Sequence, residues 1–346
     1  MQTRNRWVFS LILLAAVSFA AWHWMPRERL LLEHAHAVAN SEDAARYCWL
    51  SDHEMLLIRG GNYAPSRVQH LDLSTGHTER LPRLEAAVNK FNFEEDIFPS
   101  PDGKWLLFPP FDGEPNASLV MRNGDRIVAQ LTHGVTALAW QPGSARWIHL
   151  TYNSVSTPPG YLNVTGITVH DASHPGSIQT LPVTQPVAMQ YLDDPIITPA
   201  NHLVMASSVP DAAQDEPVAL AVADCVLGAR EITPVRKRTI PLPQGASLGY
   251  GEPILSPQGE RIAYTCQIER RSPWQSWLHR WLPRVTVPAQ HYLAIYVVRL
   301  DSARTYEIGH IPIPNSDNML GGLHWSPDGS RLSFTYRDRL YVVPAD

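Results

Sequence analysis

The sequence predicts an all-β fold, and three observations support that prediction. Proline supplies 30 of the 346 residues and glycine another 20, and the proline content is well above the usual ~5%. These helix breakers disfavour a helical bundle, a coiled coil or a large doubly wound α/β domain. A Ser-Pro-x-Gly turn followed by an apolar run recurs along the chain. The hydrophobic content of 44% is enough for a sizeable core, so the composition is that of a folded protein.

The charge balance restricts the class of partner. The net charge is −5, and 18% of the residues are charged. Such a balance creates no general attraction to nucleic acid or to an acidic membrane surface. We therefore expect no nucleic-acid partner.

The N-terminal segment predicts a membrane anchor. Residues 7–25 form an apolar run with tryptophans near both ends, and a leader at 1–6 contains Arg4 and Arg6. Nineteen helical residues rise ~28 Å, which is enough to cross the hydrocarbon core. The basic leader predicts a cytoplasmic N-terminus and an exported remainder. A cleaved signal peptide is the alternative, because Ser18 and Ala20 are small residues at suitable positions.

A repeated turn-plus-strand organises the rest of the chain. Three copies match closely over nine positions, and three others are weaker. Proline presets φ at the second position of each turn, and glycine accepts the left-handed conformation that lets the next strand fold back. The copies lie 41 to 70 residues apart, close to the length of a four-stranded blade with its loops. They begin at Leu50, Ser100, Gln141, Thr198, Ser256 and Ser326.

These Ser-Pro-Asp-Gly hairpins resemble those of TolB-type six-bladed β-propellers, over about residues 46–346. The resemblance implies blades that start near residues 46, 96, 137, 194, 252 and 322. The full prediction is an all-β, six-bladed β-propeller with an N-terminal transmembrane helix and a short helical insertion in blade five. Such blades occur in binding proteins, in lyases and in the propeller domains of peptidases, so the motif predicts the fold far better than the function.

The last unit has three strands before Asp346, so its outer edge needs a partner. We expect the linker at 26–45 to supply a closing strand from the run between Glu33 and Asn40. A short helix over the same run is the alternative.

The repeat register aligns acidic residues at one end of the predicted channel. Each lies four or five positions before a motif, where the chain enters an inner strand. Carboxylates from different blades could hold a divalent cation or a basic segment of a partner. Solvated loop acids that align by chance are the alternative. The aligned residues are Asp96, Asp194 and Glu252, with Arg46 at the equivalent position of blade one and with Glu95 and Asp193 one residue earlier.

The insertion at 269–290 predicts a short basic helix with an aromatic face. Its pattern places apolar residues at i, i+3, i+4 and i+7, with arginines around them. We expect this face to contact a membrane surface or a partner, and packing on the side of the propeller is the alternative. The residues are Trp274, Trp277, Leu278, Trp281, Arg280 and Arg284.

No catalytic residue is predicted. Ser247 lies in a Gly-x-Ser-x-Gly pattern, but prolines precede it and no helical pattern follows, so it does not form a nucleophile elbow. Cys48, Cys225 and Cys266 are too few for a disulfide scaffold, and we interpret them as core residues. A Cys225–Cys266 pair is the alternative.

The favoured function is a membrane-tethered, extracytoplasmic binding or scaffold module for a protein partner in the cell envelope. Its expected location is the bacterial inner membrane, with a single span and the propeller in the periplasm or cell exterior. The alternative is a propeller enzyme, a lyase or hydrolase, that uses a metal held by the channel carboxylates. We expect no cofactor beyond that divalent cation.

Overall fold

A computed structural model shows an all-β protein, which confirms the predicted fold class. It describes residues 31–42, 44–60, 65–91, 97–108, 118–121, 127–130, 137–155, 161–174, 176–190, 194–210, 217–248, 253–270, 290–313 and 320–346. Within these ranges the helices are α1 (Leu31–His34) and α2 (Pro82–Phe91). Neither has the length and apolar character needed to span a bilayer. The anchor predicted at 7–25 lies outside the described ranges.

The first two sheets are antiparallel, and their strands lie in chain order. The first sheet contains β2 (Ala44–Ser51), β3 (Glu54–Arg59), β4 (Arg67–Asp72) and β5 (Thr78–Arg80). The second sheet contains β6 (Phe98–Pro99), β7 (Trp105–Phe108), β8 (Ser118–Met121) and β9 (Ile127–Gln130).

A long sheet of eight strands follows, and it has two antiparallel halves. Val183 and Ile232 pair in parallel, and in the described ranges this is the single position at which strands of the two halves pair. The first half contains β10 (Leu138–Trp140), β11 (Arg146–Val155), β12 (Tyr161–Asp171) and β13 (Ile178–Gln190). The second contains β14 (Ile196–Ile197), β15 (His202–Pro210), β16 (Pro217–Leu227) and β17 (Ile232–Pro241).

The remaining strands form the fourth sheet and the last sheet. In the fourth sheet β18 and β19 both pair with β20, and β21 and β22 follow in order. These strands are β18 (Ala246–Leu248), β19 (Ile254–Leu255), β20 (Arg261–Arg270), β21 (Gln290–Arg299) and β22 (Arg304–Pro312). The last sheet contains β23 (Gly321–Trp325), β24 (Arg331–Tyr336), β25 (Arg339–Pro344) and β1 (His36–Ala37).

The outer strand of the last sheet comes from the beginning of the described chain. β1 pairs antiparallel with β25. The buried Ser41 hydroxyl donates to the Val38 carbonyl at 2.7 Å and accepts from the Leu340 amide at 3.2 Å. The preceding helix α1 buries Leu31 in the core between the fourth and last sheets. The segment therefore contains both alternatives from the sequence, one helical turn followed by a short strand.

The three Ser-Pro-x-Gly turns have the same hydrogen bonds. At Ser326, the serine carbonyl accepts from Gly329 N at 2.8 Å, and the buried hydroxyl accepts from Arg331 N at 3.0 Å. Gly329 has φ +69°, in the left-handed region. The turns at Ser100 and Ser256 repeat these contacts. The buried serine therefore satisfies the amide that begins the second strand of each hairpin.

The weaker copy at Thr198 forms a similar turn that is one residue shorter and uses different side chains. The Thr198 hydroxyl accepts from His202 N at 3.1 Å, and the Thr198 carbonyl accepts from Asn201 N at 2.9 Å. Asn201 has φ +62° at the position that glycine occupies elsewhere. Asparagine tolerates this conformation better than most residues, so the turn does not need glycine.

Tryptophans on inner strands link neighbouring sheets. Trp140 donates its indole N–H to the Phe98 carbonyl at 3.0 Å, from the long sheet to the second sheet. Trp325 donates to the Ile254 carbonyl at 3.1 Å, from the last sheet to the fourth. Trp49 joins the first sheet to the last by donating to the Ser333 hydroxyl at 2.8 Å. In addition, the Tyr47 hydroxyl donates to the Gly322 carbonyl, so the two ends of the described chain are in contact.

The hydrophobic core lies between sheet faces. Val204 and Leu220 of the long sheet, for example, belong to one buried cluster with Ile262 and Tyr264 of the fourth sheet. A similar cluster separates the fourth and last sheets. The fourth sheet thus buries both faces against its neighbours, which explains its long apolar strands.

Two glycine turns should respond differently to alanine. Gly259 and Gly143 have similar φ values, +72° and +67°. A Cβ on Gly259 would lie 2.6 Å from Thr198 Cγ2, whereas one on Gly143 would meet nothing within 4 Å. We expect Gly143→Ala to lower the free energy of unfolding by about 1 kcal/mol, from left-handed strain alone. Gly259→Ala should cost about 2 kcal/mol, because overpacking adds to the strain. Urea denaturation of both variants measures the two losses, and equal losses in the free energy of unfolding would contradict this prediction.

Candidate functional site

The predicted channel residues are only partly described. Asp96, Glu252, Glu95 and Asp193 lie outside the described ranges, and their convergence stays a prediction. The remaining two residues of the set, Arg46 on β2 and Asp194 before β14, lie in the first sheet and the long sheet. In the part of the chain that the structure describes, no three His, Cys, Asp or Glu side chains are grouped to hold a metal ion.

Asp194 has a structural contact. Its Oδ1 accepts from the Leu138 amide at 3.2 Å. Leu138 begins β10, so the carboxylate links the inner strands of the two halves of the long sheet. This contact satisfies an amide at a strand terminus and uses part of the acceptor capacity that a cation would need.

The predicted aromatic face of the insertion also lies outside the described residues. This applies to all six of its residues, which are Trp274, Trp277, Leu278, Arg280, Trp281 and Arg284. The flanking strands are described: β20 ends at Arg270 and β21 begins at Gln290. Contact with a membrane or a partner therefore stays a prediction.

The described residues form a different candidate, a cavity of about 790 Å³, which we call the arginine cavity. Its walls come from the long, fourth and last sheets, and its volume is typical of a ligand pocket. The residues that give it its charge and polarity are four arginines, three acidic residues and a tyrosine, namely Arg238, Arg261, Arg299, Arg304, Glu260, Asp301, Asp346 and Tyr306.

Strand register places three of the arginines in one row. Arg261 on β20 pairs with Arg299 on β21, and Arg299 pairs with Arg304 on β22. Directly paired residues of antiparallel strands point to the same face, so the three side chains are neighbours. Like charges at directly opposed positions destabilise a sheet. The row is therefore a feature that sheet stability does not explain.

Acidic side chains neutralise two of the four guanidinium groups. Arg261 Nη1 donates to Asp346 Oδ1 at 2.9 Å, and its guanidinium lies 5.5 Å from the centre of the Trp325 ring. Arg299 Nη2 donates to Asp301 Oδ2 at 3.2 Å. Arg238 and Arg304 form no ion pair with any residue in the described ranges. Arg238 and Arg304 are therefore the arginines of the lining that an anion could pair with, while Glu260 adds a further carboxylate to the same wall.

The surroundings of Arg238 lower its pKa. Burial is the main cause, and the charge of Arg236 adds to it, while Asp224 and Asp301 act in the opposite direction. The lowered pKa means that the charged form is disfavoured relative to water. A bound anion would stabilise that charge.

The last residues of the chain form one wall of the cavity. Ala345 is fully buried, its amide donates to the Ser330 carbonyl at 2.9 Å, and its carbonyl accepts from the Tyr306 hydroxyl at 2.7 Å. The same carbonyl accepts from Arg261 at 3.3 Å. The lining therefore already holds one acidic residue, Asp346, through its carboxylate and through the backbone carbonyl that precedes it.

A second polar cluster is buried on the other face of the fourth sheet, and we call it the Glu307 cluster. Glu307 Oε1 accepts from His310 Nδ1 at 2.6 Å and from Arg270 Nη1 at 3.3 Å. The Tyr296 hydroxyl donates to Glu307 Oε2 at 3.2 Å, and the Tyr292 ring packs edge-on against His310. Arg270, Tyr296 and His310 thus form one network around the Glu307 carboxylate.

A β-bulge brings Glu307 and His310 to the same face. Tyr296 pairs with Glu307 but Ile295 pairs with Gly309, so Ile308 is left without a cross-strand partner. Without this extra residue, positions three apart would point to opposite faces. The bulge is thus responsible for the Glu307–His310 hydrogen bond.

The cluster shifts two pKa values. Burial would raise the pKa of Glu307, but hydrogen bonds from His310 and Arg270 and the charge of Arg270 outweigh it and lower the pKa to about 2. Burial, followed by the charge of Glu307, raises the pKa of Tyr296 to about 12. Glu307 is therefore ionised and Tyr296 is protonated throughout the neutral range.

His310 has one nitrogen in contact with the network and one without a partner in the described ranges. Its Nδ1 bonds to Glu307, while Nε2 is buried and has no hydrogen-bond partner among the described residues. Because Arg270, His310 and Tyr296 all bond to the Glu307 carboxylate, we interpret the cluster as structural.

A buried histidine pair lies in the first half of the long sheet. His149 Nδ1 and His170 Nε2 are 3.0 Å apart, and the His170 ring stacks on Trp147 with centroids separated by 4.1 Å. Burial, with a further contribution from His149, lowers the pKa of His170 to about 4. Burial also lowers the pKa of His149. Both rings are neutral at pH 7.

The three cysteines are free and buried, in agreement with the favoured interpretation. Burial raises the pKa of Cys225 to about 11 and that of Cys266 to about 12. Their thiols stay protonated at neutral pH and are poor nucleophiles. Ser247 lies within β18, in a strand rather than at a strand-to-helix turn.

Sequence reasoning missed the arginine cavity, although part of its signal was present. Arg299 and Arg304 enclose a four-residue turn between two recognisable strands, and Arg261 begins the strand after a Ser-Pro-x-Gly turn. Hairpin register places these three side by side. Arg238 carried no such signal, because it comes from another sheet.

No family model matches the chain, and no curated protein matches it. Among solved structures, the chain is similar to oligogalacturonate lyase from Vibrio parahaemolyticus, with 11% identity, coverage of 90% of this chain and 91% of that chain, and a TM-score of 0.45. TolB from Acinetobacter baumannii matches with 12% identity, coverage of 85% and 64%, and a TM-score of 0.42. The WD40 domain of SCAP from fission yeast matches with 8% identity, coverage of 90% and 97%, and a TM-score of 0.39. At this level of similarity, no activity or binding site transfers to this chain.

Proposed function

We propose that the chain is a six-bladed β-propeller. The first, second, fourth and last sheets each form one blade, and the halves of the long sheet form two more. The single paired position between those halves, Val183 with Ile232, supports their separation. The contacts of Tyr47 and Trp49 with the last sheet support a closed ring.

The propeller acts as a binding scaffold, and the arginine cavity is the observation on which this function rests. Its walls belong to strands and tight turns of three sheets, so the site exists before a ligand arrives. A preformed cavity loses less conformational entropy on binding than a mobile loop does. Unneutralised arginines are also common anchors at protein interfaces.

The scaffold is tethered to the bacterial inner membrane, with the propeller in the periplasm or cell exterior. The apolar run at 7–25 and the basic leader at 1–6 support this location. The tether keeps the cavity close to envelope proteins and raises their effective concentration.

Photo-crosslinking in cells tests the scaffold. A p-benzoylphenylalanine at position 260, on the cavity wall, is compared with one at position 79, which is exposed on β5 of the first sheet. We expect a crosslinked species of defined mass from position 260 in the membrane fraction and none from position 79. Deletion of residues 1–30 should release the chain from carbonate-washed membranes. Absence of a crosslink from position 260, or the same species from both positions, contradicts the binding function.

A further inference from the structure

We propose that the arginine cavity binds an acidic peptide segment of a partner protein, with carboxylate side chains held by Arg238 and Arg304. This inference rests on the proposed scaffold function and names the chemistry of its partner.

The first argument is the row formed by Arg261, Arg299 and Arg304. Directly opposed like charges on three adjacent strands work against the sheet. Asp346 and Asp301 offset two of these charges, and Arg304 lies at the end of the row with no ion pair to a described residue. Arg304 is exposed, so its guanidinium is accessible to an incoming carboxylate that would supply the missing ion pair.

The contacts of Ala345 and Asp346 with the cavity wall also support the proposal. Arg261 binds both the carbonyl of Ala345 and the carboxylate of Asp346, and Tyr306 donates to the same carbonyl. One guanidinium thus recognises the backbone and the acidic side chain of consecutive residues. The same chemistry at Arg238 and Arg304 suits a second acidic stretch.

The third argument concerns the side-chain type. All four cations of the cavity are arginine, and lysine does not occur among them. A guanidinium presents a planar array of donors that matches a carboxylate in two-point contact, while an ammonium acts as a point charge. The lining therefore favours directional recognition of planar carboxylates over simple attraction of negative charge.

Fluorescence anisotropy with a labelled probe tests the proposal. The probe is an eight-residue peptide of alternating glutamate and alanine, and the matched control peptide has glutamine in place of each glutamate. We expect the full-length chain to bind the glutamate peptide, with an affinity that weakens as the ionic strength rises. The glutamine peptide should bind at least about 10-fold more weakly, because it cannot form hydrogen bonds between ionised partners.

Variants locate the binding. Arg238→Gln and Arg304→Gln should each lower the affinity for the glutamate peptide about 10-fold. The double variant should show no binding at micromolar concentration. Arg67→Gln, an exposed arginine on β4 of the first sheet, serves as the control and should leave the affinity unchanged. Thermal unfolding of each variant verifies that it folds. Equal binding of both peptides, or unchanged binding by the double variant, overturns the proposal.

Inorganic phosphate distinguishes an acidic peptide from a simple anion. Phosphate should compete with the peptide only at millimolar concentration, because it contacts fewer arginines at once. Tight phosphate binding together with no peptide binding overturns the inference. If the crosslink from position 260 persists while the glutamate peptide fails to bind, the scaffold function stands and the acidic partner is wrong. If neither the crosslink from position 260 nor binding of the glutamate peptide is observed, both the scaffold function and the acidic partner are wrong.

Discussion

Replacing Glu307 with glutamine is expected to lower the free energy of unfolding by about 3 kcal/mol at pH 7. The substitution keeps the size of the side chain, so it creates no cavity. It removes the charge that compensates Arg270 and the acceptor that fixes His310 Nδ1. Removal of one partner from a buried pair costs about 3–5 kcal/mol. The lower end of this range applies here, because 40% of the Arg270 side chain is exposed to solvent.

Glu269→Gln is the matched control for this experiment. Glu269 is the neighbouring residue, but its carboxylate is exposed and lies 3.6 Å from His291 at the surface. Such a pair contributes about 0–1 kcal/mol. Urea denaturation monitored by tryptophan fluorescence should therefore separate the two variants clearly. Equal losses for Glu269→Gln and Glu307→Gln would show that the cluster does not stabilise the fold.

The same cluster predicts a pH dependence of stability in acid. The pKa of Glu307 is lowered from 4.5 to about 2 in the folded protein. The unfolded chain therefore binds a proton at higher pH, and the stability from this group falls as the pH decreases from about 4.5 to about 2. Glu307→Gln should lack that component and show a flatter profile in this range.

The local elements of the fold were accessible from the sequence, because each depends on neighbouring residues. The serine, proline and glycine of each Ser-Pro-x-Gly turn supply the hydroxyl, the fixed φ and the left-handed position that the hairpin needs. The Thr198 copy was recognisable because threonine and asparagine provide the same functions. The completion of the last sheet by β1 followed from the need to protect an exposed edge.

The sites were much less accessible, because they depend on contacts between distant residues. Arg238 and Arg261 line the same cavity only after the long sheet packs on the fourth. The Glu307–His310 contact depends on a bulge at Ile308, for which the neighbouring Gly309 is a weak signal that does not by itself identify the contact. Asp194 had the correct repeat register, yet its described contact is a backbone amide of the neighbouring inner strand. Register identifies equivalent positions, but not what their side chains contact.

The tryptophans illustrate the same limit. Sequence analysis assigned six of the eleven to the anchor and the insertion, which lie outside the described ranges. Three of the others, Trp49, Trp140 and Trp325, donate their indole N–H to a neighbouring sheet. Arginines stack on two of these rings, with Arg331 over Trp49 and Arg261 over Trp325. Arg261 thus belongs both to an inter-sheet contact and to the cavity, so the proposed ligand site lies at a junction between sheets.

His170 should make the protein sensitive to mild acid. Its pKa falls from 6.5 to about 4 on folding, because the buried ring next to His149 and Trp147 disfavours the charged form. The unfolded chain therefore binds more protons between these values, and stability falls as the pH drops from 6.5 towards 4. The loss from this residue amounts to about 3 kcal/mol at pH 4, from the size of the shift.

His170→Phe tests this, because a phenyl ring can still stack on Trp147 and does not titrate. At pH 7 the variant should be less stable than the original chain, since His149 loses its hydrogen-bond partner. Between pH 7 and pH 4 the difference should move in favour of the variant by about 3 kcal/mol. His77→Gln, at an exposed position between β4 and β5, should leave the profile unchanged. Parallel profiles for His170→Phe and the original chain would show that the histidine pair does not control acid stability. The pH range in which His170 lowers the stability lies above the range for Glu307. Denaturation curves at pH 7, pH 4 and pH 2.5 therefore separate the contributions of these two residues.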